Sequence, residues 1–438
     1  MRFLSCLMLF FLSALSSALC QNYTSYFTGN TNDTTTIPSG GICLMGGASE
    51  EENAMIWFLE QANGGDVLVL RASGSNGYNN YLYSDLGVSV NSVETIVFNN
   101  STAANEIYIH QRIQQAEAIW FAGGNQWNYI SYWRNNQIEN LINNAISNRN
   151  IVVGGTSAGM AILGGYYFSA ANGTVTSATA LSNPFDGDIT VDSVSFIENA
   201  YLSNVITDTH YDNPDRKGRH LVFLARILVD YGIKAKGIAC DEYTAICIDT
   251  NGIAKVFGDA PTYDDNAYFI QTNCELTSVV PENCSLGNPL DWNLGNEAIQ
   301  VYSVKGTTTG SNTFDLNDWN TGTGGIWENW YVDNGVLYET PSVPPMCSML
   351  ITPERDKKNV YKIYPNPSEE IVIIEFNDIE MIPESIRISN LQGEIKKEVS
   401  ITIPEKTVVK VSDLPPGIYF IQLSLKNNKE FVEKLIIK

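Results

Sequence analysis

A serine in a glycine-rich turn is the strongest chemical signal in the sequence. Val153–Gly159 reads Val-Gly-Gly-Thr-Ser-Ala-Gly, and the apolar stretch Met160–Leu163 follows it. The pattern predicts a strand, a tight turn that carries Ser157, and a helix. A serine at such a turn stands out of the sheet and can act as a nucleophile, while small neighbours let a substrate approach. The alternative is a structural turn whose serine caps the helix.

A serine nucleophile needs a base, and the chain has three histidines, His110, His210 and His220. His110 lies in a helix-like stretch, and His220 begins a predicted helix. His210 follows the apolar strand Val205–Thr207, at a carboxyl strand end, where α/β folds bind ligands. Its position therefore favours His210 as the general base. So few histidines also nearly exclude a multi-histidine zinc site.

A second glycine-containing loop could complete an acyl-transfer site. Phe121–Gln126 reads Phe-Ala-Gly-Gly-Asn-Gln, ends a predicted strand and opens a predicted helix. Backbone N–H groups of such a loop can stabilise a developing oxyanion, with Gly124 and Asn125 as the expected donors. The helix start after the serine adds the N–H of Ala158. The alternative is an ordinary helix N-terminus.

Short apolar runs must position these loops. They are Ile42–Met45, Val67–Leu70, Val93–Phe98, Ala118–Phe121 and Ile151–Val153, each followed by a loop and a helical stretch. Nearly continuous Val, Ile and Leu runs that alternate with helices are typical of a parallel sheet covered on both faces. The predicted fold class is α/β, a mostly parallel sheet sandwiched by helices. Ser49 is the expected cap of the first helix, because three glutamates follow it.

The pattern changes after Ile248. Gly, Asn, Thr and Trp dominate Thr250–Glu339, which we interpret as turns and short strands packed on the same domain. Prolines then mark a linker over residues 341–360. From about Tyr361, five runs alternate apolar with polar residues and predict a small all-β sandwich. These runs are Ile371–Phe376, Ser385–Ser389, Lys406–Val411, Ile418–Leu425 and Phe431–Ile437.

Composition and the N-terminus indicate an exported globular protein. The 438 residues are 44% hydrophobic and carry a formal net charge of -22, which disfavours a nucleic-acid partner. Residues 1–20 have the charge, apolar core and small residues of a signal peptide. Export permits disulfides, and Cys274 with Cys284 is the expected pair. Cys43, Cys240 and Cys247 lie in strand-like runs and are expected to be buried thiols.

Residues 361–438 resemble the type IX secretion sorting domain of Bacteroidetes. The resemblance rests on Ile363–Pro367, Leu391–Gly393, Leu414–Tyr419 and the terminal Lys434–Lys438. It implies a partner, the type IX secretion machinery, and a secreted or cell-surface location. A spacer or carbohydrate-binding module is the alternative interpretation of this β-unit.

The upstream motifs resemble the cyanophycinase and aspartyl dipeptidase family of serine peptidases, which has a class I glutamine-amidotransferase-like fold. The motifs are Leu44–Gly47, Phe121–Gln126, Gly155–Gly159, Asp208–Tyr211 and Gly237–Glu242. The resemblance assigns the nucleophile to Ser157 and the base to His210. Relatives usually carry a carboxylate soon after the serine, but this chain has no acid there until Asp186. We therefore predict Glu242 as the third catalytic residue.

The resemblance also implies a substrate pocket. Gln126, Asp208, Arg216 and Arg219 stand at family positions, and Thr209 replaces a glutamine. Arginines in such a pocket would pair with substrate carboxylates.

The sequence therefore predicts a secreted serine peptidase over residues 21–340, with Gly124 and Ala158 as oxyanion donors. Aspartyl or β-aspartyl peptides, with cyanophycin as one candidate, are the expected substrates. No metal or organic cofactor is implied, and a homodimer is left open. The competing hypothesis is an inactive secreted binding protein or adhesin on the same fold.

Overall fold

The computed structural model describes residues 21–346, 361–376, 385–390, 394–400, 406–424 and 430–438. The chain divides into two compact units, Met1–Cys347 and Ser348–Lys438. The predicted signal peptide and most of the predicted linker lie outside the described residues. Within the described ranges, no helix has the length and apolar character needed to cross a bilayer.

The first unit alternates strands and helices in its N-terminal half and is mostly strands afterwards. Its strands are Tyr23–Gly29 (β1), Ile42–Met45 (β2), Asp66–Arg71 (β3), Ser92–Phe98 (β4), Ala118–Phe121 (β5), Val152–Thr156 (β6), Tyr167–Phe168 (β7), Val191–Asp192 (β8), Val205–Asp208 (β9), Lys236–Cys240 (β10), Ala245–Ile248 (β11), Ile253–Phe257 (β12), Asn266–Thr272 (β13), Ile299–Lys305 (β14), Asn312–Asp315 (β15), Gly322–Thr323 (β16), Gly325–Asp333 (β17) and Val336–Pro341 (β18).

The helices of this unit are Glu52–Gln61 (α1), Gly77–Asn80 (α2), Ile107–Gln115 (α3), Gln126–Trp133 (α4), Gln137–Arg149 (α5), Ala158–Ala161 (α6), Ser177–Ser182 (α7) and Lys217–Tyr231 (α8). A π-helical turn spans Tyr81–Asp85, and a 3-10 turn spans Ser101–Asn105.

A ten-stranded sheet forms the centre of the unit, in the order β1-β4-β3-β5-β6-β2-β11-β12-β15-β16. Strands β4, β3, β5, β6 and β2 are parallel, and the strands on either side of them are antiparallel. The predicted α/β class is confirmed. Successive side chains point to opposite faces, so Leu68 packs with α3, α4 and α5, whereas Val69 packs with α1.

A second sheet was not distinguished in the sequence. Its order is β18-β17-β14-β13-β10-β9, and β9 and β10 are parallel. The region after Ile248 was expected to form turns and short strands, but its strands β13, β14, β17 and β18 build most of this second sheet. Helix α8 packs against one face of this second sheet. Ile238 and Cys240 share a core with Leu44 and Ile246 of the large sheet.

The first helix starts two residues later than its capping signal predicts. Glu51, not Ser49, is the N-cap, and its carboxylate accepts the N–H of Ala54 at 2.6 Å. Ala48 has a φ of 66°, so the chain is still turning where the sequence predicted the cap. A glutamate side chain can replace serine at the cap because its oxygen reaches the same N–H group.

The predicted Cys274–Cys284 disulfide is wrong. Cys284 is a free thiol, whereas Cys274 is disulfide-bonded. The loop between them does not fold back on itself, because Asn283 bridges to Asp291 and Cys284 packs in the core beside α8. The buried, free state predicted for Cys43, Cys240 and Cys247 is confirmed.

The second unit is a small all-β structure with a three-stranded and a four-stranded sheet. All five predicted runs are strands within one residue at each end, and two strands were not predicted. The strands are Tyr361–Tyr364 (β19), Ile371–Phe376 (β20), Ser385–Asn390 (β21), Ile395–Ser400 (β22), Lys406–Lys410 (β23), Gly417–Ser424 (β24) and Glu430–Ile437 (β25). Val372, Ile388, Ile421 and Leu435 belong to its own apolar core.

Candidate active site

Ser157 lies at the carboxyl end of β6, in the sharp turn that leads into α6. Its φ of 52° and ψ of -119° are unusual for a residue with a side chain. The Ser157 N–H donates to Met45 O of the neighbouring strand at 3.1 Å. A Cβ at Gly159 would lie 2.0 Å from Phe121 O, so the turn tolerates only glycine there. Strain held by such packing is typical of a nucleophile turn.

His210 comes from the other sheet, directly after β9. Its φ is 48°, and its N–H donates to Gly46 O at 2.9 Å. The imidazole lies against Gly47, where a Cβ would be 2.4 Å from Nε2. Gly47 also has a φ of +120°. The glycine pair after β2 is therefore what lets the histidine loop of the second sheet reach the serine turn of the first.

Ser157, His210 and Glu242 form one hydrogen-bonded row. The Nε2 atom of His210 is 2.8 Å from Ser157 Oγ, and Nδ1 is 2.5 Å from Glu242 Oε1. Glu242 follows β10 and is held from two sides: its N–H donates to Asp212 Oδ1 at 2.8 Å, and Oε2 accepts from Asn213 Nδ2 at 3.3 Å. The geometry is that of a nucleophile, a base and the acid that orients the base.

The other two histidines are engaged elsewhere. A ring nitrogen of His110 lies 2.7 Å from Ala104 O. His220 is fully buried in α8, and its ring nitrogens are each 3.2 Å from a partner, Tyr211 Oη and Ile206 O. Burial lowers the pKa of His220 to about 4. The structure brings only one of the three histidines against Ser157.

Free backbone N–H groups surround the serine. Within the described part of the chain, those of Gly123, Gly124 and Ala158 donate no hydrogen bond. A Cβ at Gly123 would lie 3.6 Å from Ser157 Cβ, so this loop runs beside the serine. Sequence reasoning named Gly124 and Asn125 and missed Gly123, although the double glycine was a visible signal of close approach.

Comparison with known proteins decides the family. The model of peptidase family S51 matches residues 72–256, which include Ser157, His210 and Glu242. Residues 72–256, the S51 domain, are thus similar to the peptidases of this family. The model of the secretion system C-terminal sorting domain matches residues 362–438. No curated protein sequence matches the chain.

Solved structures with a similar backbone include two peptidases. One is a peptidase from an acI-B1 Actinobacterium, with 15% identity and a TM-score of 0.38, covering 51% of this chain and 89% of that one. Another is a putative peptidase E protein from Listeria monocytogenes EGD-e, with 14% identity and a TM-score of 0.32, covering 50% of this chain and 99% of that one.

The chain therefore combines a region similar to peptidase family S51 with a C-terminal secretion sorting domain. Its tail directs type IX secretion to the cell surface or the medium. The S51 match supports a peptidase, and the sorting domain implies contact with the secretion machinery.

In the S51 domain, the two predicted pocket arginines lie in different environments. Arg216 is half-buried, and its Nη1 donates to Thr209 O at 2.9 Å. Burial and the nearby Arg219 lower the pKa of Arg216 from its usual value. Arg216 is thus hydrogen-bonded to Thr209, the residue before His210, and its side chain remains partly exposed.

Arg219 is buried and paired with Asp208. Nε and Nη2 of Arg219 donate to the two carboxylate oxygens at 2.8 and 2.5 Å, and Nη1 donates to Val175 O at 3.2 Å. Burial would raise the pKa of Asp208, but the charge of Arg219 outweighs it and holds that pKa below its usual value. Both groups are almost inaccessible, at 4% and 2% exposure. This pair fastens β9 to α8 directly before the histidine loop.

Gln126 is the first residue of α4, and its side-chain amide donates to Phe168 O. The contact ties the oxyanion-side loop to β7. Thr209, the residue that replaces the family's glutamine, is buried and contacts Arg216. Among the described residues, no cluster of three or more His, Cys, Asp or Glu side chains could hold a metal ion.

Sequence reasoning missed the residues that surround Glu242. Asp212 and Asn213, which contact Glu242, are exposed. Asp241 is buried, and its Oδ1 has no partner in the described structure. Its Oδ2 accepts from the N–H and side-chain amide of Asn266. Burial raises the pKa of Asp241 to about 7. An acid next to the predicted catalytic acid was visible in the sequence, but its burial was not.

Proposed function

We propose that the S51 domain is a serine peptidase that cleaves aspartyl or β-aspartyl peptide bonds through an acyl-enzyme. The observation that carries the proposal is the row Ser157 Oγ, His210 Nε2, Nδ1 and Glu242 Oε1, with separations of 2.8 and 2.5 Å. A chain of this kind activates a hydroxyl that is otherwise a poor nucleophile.

In the first half-reaction, Ser157 Oγ bonds to the substrate carbonyl carbon while its proton passes to His210 Nε2. Glu242 accepts the Nδ1 proton in a hydrogen bond and stabilises the resulting imidazolium. The C–N bond then breaks, and the imidazolium gives its proton to the leaving amine. In the second half, His210 takes a proton from water, the hydroxide attacks the ester, and Ser157 recovers its proton.

The oxyanion that forms in both halves would be bound by the N–H groups of Gly124 and Ala158. Both groups lack another acceptor in the described structure. A donor that is already free and fixed needs no reorganisation when charge develops, which is the source of its effect.

Arg216 is the residue that would select acidic substrates. It is the half-buried arginine beside the histidine loop, whereas Arg219 is already neutralised by Asp208. A guanidinium with an open side can form a paired contact with a substrate carboxylate. In this proposal Asp208 and Arg219 position the loop rather than touch the substrate, and Gln126 borders the oxyanion side.

A probe and a product analysis test the proposal. A fluorophosphonate should label wild-type protein and leave Ser157→Ala unlabelled. Mass spectrometry should then detect cleavage within a panel of aspartyl peptides, isoaspartyl peptides and cyanophycin, and β-aspartyl-arginine would identify the polymer as a substrate. Folded wild-type protein that neither labels nor cleaves any substrate would contradict the proposal and favour a binding protein.

A further inference from the structure

We infer that Tyr129 is a positioning residue for the oxyanion hole: its hydroxyl fixes two successive peptide groups so that the N–H groups of Gly123 and Gly124 point towards Ser157. The inference rests on the proposed peptidase function and concerns a residue outside the catalytic row.

The Tyr129 hydroxyl lies within hydrogen-bond distance of two consecutive carbonyl oxygens, which share its one proton. Its oxygen is 2.9 Å from Ala122 O and 2.8 Å from Gly123 O. In an extended strand, successive carbonyls alternate in direction. Two successive carbonyls that converge on one hydroxyl therefore require a non-strand conformation, which the loop after β5 adopts.

Peptide geometry then fixes the direction of the two N–H groups. In a trans peptide, the N–H of a residue points opposite to the carbonyl of the residue before it. The N–H of Gly123 thus points away from Tyr129, and so does that of Gly124. Successive N–H groups on one side of a turn form a concave anion-binding surface.

The loop that carries these N–H groups runs beside Ser157. A Cβ at Gly124 would lie 2.6 Å from Tyr129 Oη, whereas a Cβ at Gly123 would lie 3.6 Å from Ser157 Cβ. The loop therefore runs between the tyrosine and the serine. Both N–H groups are without another acceptor in the described residues, so they are available to an oxyanion bound at Ser157.

The ring of Tyr129 is rigid enough for this role. It is fully buried and stacks on Trp133, with ring centroids 4.5 Å apart and planes 13° apart. A buried hydroxyl on a fixed ring holds its partners in one geometry. Its removal would leave the ring packing intact and free the two carbonyls to rotate, which would turn the N–H groups away from Ser157.

The test is Tyr129→Phe, compared with Tyr302→Phe as the matched control. Tyr302 is also buried, and its hydroxyl accepts the Gly325 N–H at 2.8 Å in the second sheet. For Tyr129→Phe we expect kcat to fall roughly 10- to 100-fold with KM within about twofold, because the lost interaction acts on the transition state. The rate constant for fluorophosphonate labelling should fall by a similar factor. Tyr302→Phe should leave both rates at the wild-type level.

Wild-type kcat and labelling in folded Tyr129→Phe would overturn the inference and leave the peptidase proposal standing. Wild-type protein that neither labels nor cleaves would overturn both. If Tyr129→Phe does not fold, Gly124→Ala decides, since its Cβ would press on the same hydroxyl: a loss of kcat at constant KM supports the inference, and unchanged kcat overturns it.

Discussion

The serine turn and the histidine turn are built in opposite ways. Both hold a non-glycine residue at positive φ, 52° at Ser157 and 48° at His210. The serine turn is buried on both sides, and glycines and backbone contacts within the large sheet hold it. The histidine turn is followed by exposed Asp212 and Asn213, whose side chains hold Glu242.

The two turns differ in how much of their conformation is encoded nearby in the chain. At Ser157, glycines such as Gly159 lie in the same segment, and the turn they form packs against Met45 and Phe121 of the neighbouring strands. The position of His210 depends on Gly46 and Gly47, which are far away in the chain. Substitutions of the packed glycines at the serine turn, such as Gly159, should therefore lower stability, whereas those of the exposed Asp212 and Asn213 should act on catalysis through Glu242.

The largest expected effect is the loss of either end of the row. Ser157→Ala and His210→Ala should each lower kcat/KM by roughly 10⁴- to 10⁶-fold, because a nucleophile and its base act as a unit. His110→Ala is the matched histidine control and should retain wild-type activity. Steady-state assays and thermal unfolding measure the outcome. Substantial turnover by folded His210→Ala would show that the base is wrongly assigned.

Glu242→Gln should have the next largest effect. The amide keeps the size of the side chain but loses the charge that stabilises the imidazolium, so kcat should fall by about 10²- to 10⁴-fold. Asp212→Asn, which changes the acceptor of the Glu242 N–H, should cost much less. Equal activity of Glu242→Gln and wild type would exclude Glu242 as the third catalytic residue.

The two arginines should separate stability from specificity. Arg219→Ala leaves the buried Asp208 carboxylate without its charged partner and should lower the free energy of unfolding by about 3–5 kcal/mol. Arg216→Ala should cost about 1.5–3 kcal/mol of transition-state stabilisation on acidic substrates, the scale of a charge-assisted hydrogen bond. Neutral substrates should be spared.

Chemical denaturation and kcat/KM across a peptide panel measure these two losses. Arg216→Lys should restore activity only in part, because an ammonium group cannot make the paired contact. An Arg216→Ala variant that matches wild type on every peptide would remove the argument for an aspartyl-type substrate.

The smallest expected effect on activity is at Asp241, whose role is seen in stability. Its pKa in the folded protein is about 7, against a usual value of 3.8. The folded protein therefore keeps a proton that the unfolded chain releases, so this group lowers stability as the pH rises from about 4 to about 7. Asp241→Asn should gain stability relative to wild type over that interval.

Thermal unfolding of wild type and Asp241→Asn from pH 4 to pH 8 measures this gain. Asp212→Asn removes a nearby charge that helps to raise the pKa of Asp241, so it should show a smaller gain of the same sign. A constant offset between Asp241→Asn and wild type across the range would contradict the assignment of the shift to Asp241.

Local pattern was enough for the parallel strands and for the serine turn. Runs such as Ala118–Phe121 are apolar throughout because both faces of the sheet are covered. Their composition alone therefore predicted buried strands. The five β-runs of the tail were predicted from a different pattern, since alternation of apolar and polar residues indicates a strand with one covered face. The strand-to-helix turn at Ser157 could be predicted from the glycines next to it in the chain.

The tertiary structure decided what depends on contacts between distant segments. The sequence did not show that His210 and Ser157 belong to different sheets, because strand pairing is set by long-range registers such as β9 with β10. It made Arg216 and Arg219 look equivalent, although Arg216 is the partly exposed N-cap of α8 and Arg219 is buried in its first turn. It also paired Cys274 with Cys284 by proximity in the chain, whereas the fold directs their side chains to different places. Residue types and spacing thus determined which groups are present, and packing determined which of them meet.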